Sequence, residues 1–258
     1  ERLNRKGLDM ITLTEPSTDD TFSLLNPEAI KGIITVGTIS TTLLLNIYRM
    51  GIPVVMVDHW DSAFLSDAVF TDNRTCMNEL MKDLLCRGYA HFQFVGHIDD
   101  AHSFYERWEA FRSALEMSGV ELRQNKALIY GGAQALAEEM DKLPKDELPE
   151  VFVCANDVTA SQVVEVLKEK GIDVPKRCGV TGFDDTNDQM PIYATVRVDK
   201  ELLGMRAVDQ LLWRIMNPSS PVEKKLLHAD LLIREVHAPR ISRENDDRDR
   251  SFSTIKYS

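Results

Sequence analysis

The sequence contains little that would indicate a metal site or an enzyme. Only four cysteines occur among its 258 residues, without a CxxC pair and without a histidine at ligand spacing. This pattern favours buried free thiols over a metal site or a disulfide framework, and we expect no metal and no cofactor. No P-loop, GxSxG or HExxH motif is present, so we expect no enzyme. The cysteines are Cys76, Cys86, Cys154 and Cys178.

Positive charge and long apolar runs are also scarce. Lysine and arginine number 30 against 41 acidic residues, which gives a formal net charge of -11. Nucleic-acid binding depends on clustered cations, so this segment is not expected to hold DNA by itself. No apolar run is long enough for a membrane span, and the first residues carry no signal peptide pattern. The predicted location is the cytoplasm, because free thiols fit a reducing compartment.

Short apolar runs alternate with helical patterns along most of the chain. This alternation is typical of α/β folds, in which βαβ units build parallel sheets. Three stretches have apolar residues at helical spacing, and we interpret each as a core-facing helix. They contain Leu80, Phe111 and Val163, one in each stretch. Strands are predicted at 10–13, 32–36, 54–57, 92–95, 151–154 and 179–181.

The two ends of the sequence differ from this pattern. The chain opens in what reads as the end of a helix, at 1–6, although the first strand of a doubly wound sheet usually lies inside the sheet. We therefore expect that a strand and half a helix precede it. At the other end, 241–258 is a polar tail with mixed charges and no core-forming pattern.

Eight stretches, read in order, resemble the effector-binding region of LacI/GalR-type bacterial transcription regulators, which share their fold with periplasmic sugar-binding proteins. The resemblance covers roughly 1–236. The stretches are 51–58 (GIPVVMVD), 69–73 (VFTDN), 85–96 (LCRGYAHFQFVG), 107–115 (RWEAFRSAL), 153–157 (VCAND), 171–175 (GIDVP), 179–185 (GVTGFDD) and 194–199 (ATVRVD).

The resemblance implies two doubly wound parallel-sheet lobes joined by three crossover segments, as in type I periplasmic binding proteins. The crossings would fall near 71–73, 195–198 and 226–229. The N-terminal lobe would comprise 1–71 plus 197–226, and the C-terminal lobe 72–196 plus 227–240. A small-molecule effector would bind between the lobes, operator DNA would be bound by an N-terminal head outside this chain, and the protein would form a homodimer.

Four polar residues at predicted strand or helix ends are the main candidates for ligand contact. Asp58 follows an apolar strand directly, and its alternative role is a turn or helix cap. Arg107 is predicted to open a helix, where a cation is unfavourable unless a polar ligand lies beside it. Asn156 follows another strand but could instead cap the next helix. The family resemblance implies that Arg107 grips the ligand and that Asp184 accepts hydrogen bonds from it.

Four further residues are weaker candidates. Ser103 matches a contact position of the family more loosely. Trp60, Phe104 and Tyr105 could stack on an apolar face of the ligand, or could simply pack in the cleft wall. The family usually has glycine-rich sequence at 97–100 and, in some members, an aromatic residue at the position of Lys200, so these departures leave the ligand's identity open.

Three other functions remain possible from the sequence. Asp184, Asp185 and Asp188 could hold Mg²⁺ in an enzyme, although no partner motif supports it. A periplasmic sugar-binding protein would have the same lobes, but the helix at 199–212 resembles that of the regulators more closely. A sensor domain fused to another output module is the third. For the dimer, the aliphatic stretch 39–50 is a candidate interface, and burial inside the first lobe is the alternative.

Overall fold

The computed structural model describes residues 3, 5, 7–12, 27–61, 64–142 and 148–238, and these form two α/β lobes. The elements in chain order are β1 (Ile33–Val36), α1 (Thr41–Arg49), β2 (Val54–Val57), β3 (Asp67–Thr71), α2 (Asn73–Cys86), β4 (Phe92–Val95), α3 (His102–Met117), α4 (Lys126–Tyr130), α5 (Gly132–Lys142), β5 (Val151–Cys154), α6 (Asp157–Glu169), β6 (Gly179–Thr181), β7 (Ala194–Arg197), α7 (Lys200–Met216), β8 (Lys224–Leu227) and β9 (Asp230–Ile233).

The first lobe is built on a four-stranded parallel sheet in the order β1-β2-β3-β8. Successive strand residues face opposite sides of the sheet, so one strand supplies both layers of the core. Met56 packs with Leu44 of α1 on one side, whereas Val55 and Val57 pack with Leu203 of α7 on the other. Helices on both faces explain why β2 is apolar throughout and why 68–70 of β3 are apolar.

The second lobe contains a five-stranded sheet in the order β4-β5-β6-β7-β9. Its first four strands are parallel, and β9 is antiparallel to β7, so this sheet is mixed at one edge. In β5, Val151 and Val153 face the core that α2 and α3 cover, whereas Phe152 and Cys154 face the core of α5 and α6. All four side chains are buried.

The chain passes between the two sheets three times. It crosses after β3 at Asp72, after β7 at 198–199, and between β8 and β9 at 228–229. Arg197 still pairs with Asp230 in the second sheet, and Leu227 pairs with Thr71 in the first. Moving two of the predicted lobe bounds by one residue would place Arg197 in the C-terminal lobe and Leu227 in the N-terminal lobe. The lobe bounds as a whole stay a prediction.

Two local predictions are wrong. Met10 and Ile11 are exposed and belong to no strand, and Leu13 lies outside the described residues. Apolar composition alone cannot form a strand where no neighbour supplies hydrogen bonds. Cys86 is exposed because it ends α2 on the helix face away from the sheet, whereas the other three cysteines are buried free thiols as expected. The tail at 241–258 and most of 1–6 also lie outside the described residues.

Candidate ligand-binding site

The predicted site residues lie at the carboxyl ends of the two sheets, on the walls of a cleft between the lobes. Asp58 follows β2 directly in the first lobe. In the second lobe, Asn156 follows β5 and Asp184 follows β6. Helix N-termini and loop polar groups converge at this edge of a parallel sheet, which is why ligands bind there in open α/β folds.

Arg107 is buried in the second turn of α3, with 2% of its surface exposed. The prediction that Arg107 opens this helix is wrong, since α3 begins at His102. Phe104 continues the apolar spacing of Trp108 and Phe111 by one turn toward the N-terminus, and this extends the helix past the predicted start. The argument from an unfavourable helix-end position therefore does not apply.

The guanidinium of Arg107 connects three separate chain segments. Its Nε donates to Asn73 Oδ1 at 2.9 Å and its Nη1 donates to the carbonyl oxygen of Ala155 at 2.7 Å. Its Nη2 lies 3.5 Å from Asp184 Oδ1. Burial lowers the pKa of Arg107, and the carboxylates of Asp184 and Asp58 oppose this shift. Arg107 thus orders the start of α2 and the loops after β5 and β6.

An aromatic ring supports Arg107 from one side. Its Cζ lies 3.5 Å from the centroid of the Phe183 ring and 5.9 Å from that of Phe104. A flat guanidinium against a ring face gains cation-π energy while its edge stays free for hydrogen bonds. Phe104 also packs against the apolar core of the second lobe. Phe104 therefore supports Arg107 and the core, and its contact with a ligand stays a prediction.

Three residues that the sequence reasoning did not assign to the site extend the Arg107 network. Asn73 Nδ2 donates to Glu106 Oε2 at 2.9 Å, and His102 Nε2 lies 3.4 Å from Glu106 Oε1. Burial opposes ionisation of Glu106, but hydrogen bonds from His102 and Asn73 outweigh it and lower its pKa. The i,i+4 spacing of His102 and Glu106 on a helix was the available signal.

Asp184 occupies a left-handed backbone conformation, with φ at 102°, and its amide donates to the Val196 carbonyl at 2.8 Å. Burial raises the pKa of Asp184 to about 6, Arg107 partly offsets this, and the negative charge of Asp58 adds to it. A buried carboxylate whose pKa is raised lacks the hydrogen-bond donors that would stabilise its charged form.

Asp58 faces the cleft from the other lobe and also has a left-handed backbone, with φ at 56°. Its side chain is open to solvent in the cleft, yet the surrounding walls raise its pKa by burial, against the opposing charges of Arg107 and Lys200. Among the described residues, no side chain donates a hydrogen bond to either oxygen of Asp58. Two carboxylates from different lobes therefore stand in one cleft with unfilled acceptor positions.

Asn156 serves as the N-cap of α6, because its Oδ1 accepts a hydrogen bond of 2.9 Å from the Thr159 amide. The side-chain oxygen of Asn156 therefore has the capping role that the sequence offered as an alternative. Contact of its side-chain nitrogen with a ligand stays a prediction. The neighbouring Asp157 is buried and bonds instead to Thr186 and Thr195.

An open pocket with a volume of about 330 Å³ lies at the mouth of the cleft. Tyr105 lines it and is 43% exposed, whereas Ser103 is buried in the first turn of α3. His59 lies beside Trp60 in the same wall, and no described residue bonds to either of its ring nitrogens. The lining residues are His59, Trp60 and Asp61 of the first lobe and Ile98, Asp99, Ala101, His102 and Tyr105 of the second.

Trp60 contacts residues of both lobes through its ring. Lys224 Nζ lies 3.4 Å from a ring centroid of Trp60, and the ring of His102 from the other lobe meets it at 5.0 Å and 79°. Nearby, the Thr38 hydroxyl donates to the Asp100 carbonyl at 3.4 Å across the cleft. Stacking of a ligand on Trp60 would have to compete with Lys224.

The part of the chain that the structure describes contains no group of three histidine, cysteine or acidic side chains placed to hold a metal ion. Asp185, which the magnesium alternative requires, is bonded to Arg197 at 2.8 Å and to Arg234 at 3.2 Å. Both of its carboxylate oxygens thus face arginines. None of the helices in this part of the chain combines the length and the apolar composition of a membrane-spanning segment.

The family model of the periplasmic binding protein-like domain matches residues 81–235. The HTH-type transcriptional regulator GalR of Lacticaseibacillus casei is 26% identical over 217 residues, which cover 80% of this chain and 65% of that protein. The HTH-type transcriptional repressor PurR of Glaesserella parasuis is 26% identical over 197 residues, which cover 71% and 57%. The chain thus spans less than two thirds of the length of either relative.

Solved structures have the same fold. A LacI family transcriptional regulator from Enterococcus faecium with bound ribose has a TM-score of 0.75 at 23% identity, covering 93% of this chain and 91% of that one. The complex of the transcriptional regulator CelR with cellobiose has a TM-score of 0.69 at 21% identity, covering 80% and 65%. At such identities the similarity establishes the fold alone.

Proposed function

This chain belongs to the family of periplasmic binding protein-like domains, in the form that LacI/GalR-type regulators carry, and we propose that it senses a small polar metabolite for a DNA-binding protein. The ligand is a sugar or a nucleoside-like molecule held between the lobes. DNA is bound by a helix-turn-helix head outside this chain, and the protein acts in the bacterial cytoplasm as a homodimer.

The observation that carries this proposal is the pair of carboxylates on facing lobes. Asp58 and Asp184 both have their pKa raised by burial in the cleft, so each is stabilised by a partner that brings hydrogen-bond donors. The hydroxyl groups of a sugar, or the hydroxyl and N–H groups of a nucleoside, provide such donors. Because one carboxylate belongs to each lobe, a molecule that bonds to both also connects the lobes.

A ligand that connects the lobes changes their relative arrangement, and this change is the signal to the DNA-binding heads. A ligand shifts an equilibrium between two lobe arrangements only by its difference in affinity for them, and a ligand in the cleft contacts both lobes best when the cleft is closed. Two heads on a symmetric dimer would then change their spacing on a two-fold symmetric operator. The related proteins support this: two relatives are named as HTH-type regulators, and structural neighbours contain ribose and cellobiose.

The test is thermal unfolding of this chain with D-ribose, cellobiose and adenosine, each at millimolar concentration. We expect at least one of them to raise the melting temperature and that Asp58→Asn and Asp184→Asn reduce this rise. Ser113→Ala, an exposed position on α3 facing away from the cleft, is the control and should respond like the wild type. No stabilisation by any of the three molecules would contradict the proposed ligand class.

A DNA-binding measurement distinguishes the proposed function from that of a chain that binds DNA without a separate head. We expect a labelled duplex to show no change in fluorescence anisotropy with micromolar chain at low salt, because the net charge is -11. Micromolar binding would show that the head is not required.

A further inference from the structure

We infer that Asp157 is a positioning residue for the effector site, because it fixes the loop that presents Asp184 to the cleft. The inference rests on the proposed function, in which Asp184 accepts hydrogen bonds from the effector. Asp157 is the first residue of α6 and is 1% exposed, so it does not face the cleft solvent.

Asp157 is bonded to the residues on both sides of a strained pair. Asp184 and Asp185 have φ of 102° and 50°, a region that residues other than glycine adopt only when their surroundings impose it. Before the pair, the Phe183 carbonyl accepts from the Asp157 amide at 2.8 Å. After the pair, the Thr186 amide donates to Asp157 Oδ2 at 2.6 Å. One residue of α6 therefore holds both ends of the strained turn.

The second carboxylate oxygen reaches the strand beside the loop. Asp157 Oδ1 accepts from the Thr195 hydroxyl at 2.8 Å, and that hydroxyl accepts from the Asp185 amide at 3.3 Å. The strained pair is thus also held from β7, the strand that leads into the second crossing segment.

The sequence of the loop is adapted to this close approach. A Cβ atom placed on Gly182 would lie 2.1 Å from Asp157 Oδ1, so only glycine allows the carboxylate to enter. The partners of the Asp157 side chain among the described residues are an amide and two hydroxyls, with no cation among them. Such a set fixes geometry rather than neutralising charge, which is what a positioning role requires.

Two substitutions of Asp157 separate geometry from charge. Asp157→Ala removes every side-chain bond to the loop. Asp157→Asn keeps them, because its Oδ1 can accept from the Thr186 amide while its Nδ2 donates to the Thr195 hydroxyl, which can act as an acceptor. If Asp157→Ala fails to fold, Thr195→Val removes the bond to Asp157 and the bond from the Asp185 amide without changing the shape of the side chain. Thr181→Val is its matched control, a buried threonine of the same sheet whose hydroxyl has no partner among the described residues.

The first measurement needs no ligand and follows hydrogen exchange of the Thr186 amide by NMR. We expect exchange about tenfold faster or more in Asp157→Ala, since one lost charge-assisted hydrogen bond corresponds to that factor. We expect a smaller increase in Thr195→Val, a rate close to wild type in Asp157→Asn, whose neutral oxygen still accepts the bond, and wild-type rates in Thr181→Val. Unchanged exchange in both Asp157→Ala and Thr195→Val would overturn the inference.

The second measurement is calorimetric titration of the same variants with D-ribose and with cellobiose. We expect affinity to fall in the order in which exchange rises, and to be restored in Asp157→Asn. Faster exchange with unchanged affinity would show that Asp157 holds the loop without serving the site, and would overturn the positioning role. If neither sugar binds the wild type, the sugar form of the proposed function fails, whereas the exchange result still decides whether Asp157 holds the loop.

Discussion

Arg107 and Asn73 are joined by a hydrogen bond of 2.9 Å at the point where the chain enters the second lobe for the first time. Asn73 begins α2 directly after the crossing residue Asp72, whose amide donates to Leu227 at the end of β8, next to the third crossing. Arg107 is therefore bonded to the residue that follows the first crossing, and the first crossing is itself bonded to the strand that leads into the third. A change at Arg107 should affect stability, binding and lobe arrangement together.

Replacing Arg107 by Ala should abolish stabilisation by an effector and also weaken the fold. The substitution leaves Asn73, the Ala155 carbonyl and Asp184 without their partner in a buried place, so the free energy of unfolding should fall by about 3–5 kcal/mol. Arg112→Ala is the control on the same helix, since its pair with Glu109 is exposed and should contribute at most about 1 kcal/mol. Urea unfolding checks both, and equal losses would contradict the central role of Arg107.

Asp184→Asn should remove a pH dependence of stability between about pH 4 and about pH 6. Because burial raises the pKa of Asp184 from 3.8 to about 6, folding favours its protonated form. Its contribution is fully present below about pH 4 and is lost as the pH rises through 6, by at most about 3 kcal/mol. The measurement is urea unfolding of wild type and variant at several pH values. Parallel curves would contradict the raised pKa.

Gly96→Ala should disturb the cleft from the side opposite to Asp184. Gly96 follows β4, and an added Cβ would lie 2.3 Å from the Cβ of Ala155, whose carbonyl accepts from Arg107. We expect a loss of about 1–3 kcal/mol from overpacking, together with weaker effector binding. Gly119→Ala meets no atom within 4 Å and should cost about 1 kcal/mol of backbone strain without affecting binding. Equal effects of the two substitutions on binding would contradict this.

If the chain forms a dimer through 39–50, the outer face of α1 has to provide the contact. Leu44 and Ile47 are buried inside the first lobe, whereas Leu45 and Tyr48 are exposed. Tyr48→Asp should therefore shift the chain toward monomer in sedimentation equilibrium at micromolar concentration. Met117→Asp, at an exposed apolar position of α3, is the control and should leave the mass unchanged. A monomeric wild type would remove the dimer from the proposal.

The sequence by itself determined the α/β class and the strand and helix cores that depend on nearby residues. Apolar runs with both faces covered predict β2, β4, β5 and β6, and the stripes at helical spacing predict α2, α3 and α6. Because parallel strands end at a common edge, the same pattern also places Asp58, Asn156 and Asp184 at one side of their sheets before any contact is known.

Only the tertiary structure decided which groups each of these residues bonds to. Asn73 reaches Arg107 because α2 packs against α3, and Lys224 covers Trp60 because β8 returns to the first sheet after β7 of the second lobe. Asp157 begins α6, and only the packing of this helix against the sheet brings its carboxylate to Thr186 and Thr195. Such contacts join residues far apart in the chain, and their geometry depends on how whole helices and strands pack, which a local pattern of residues does not contain.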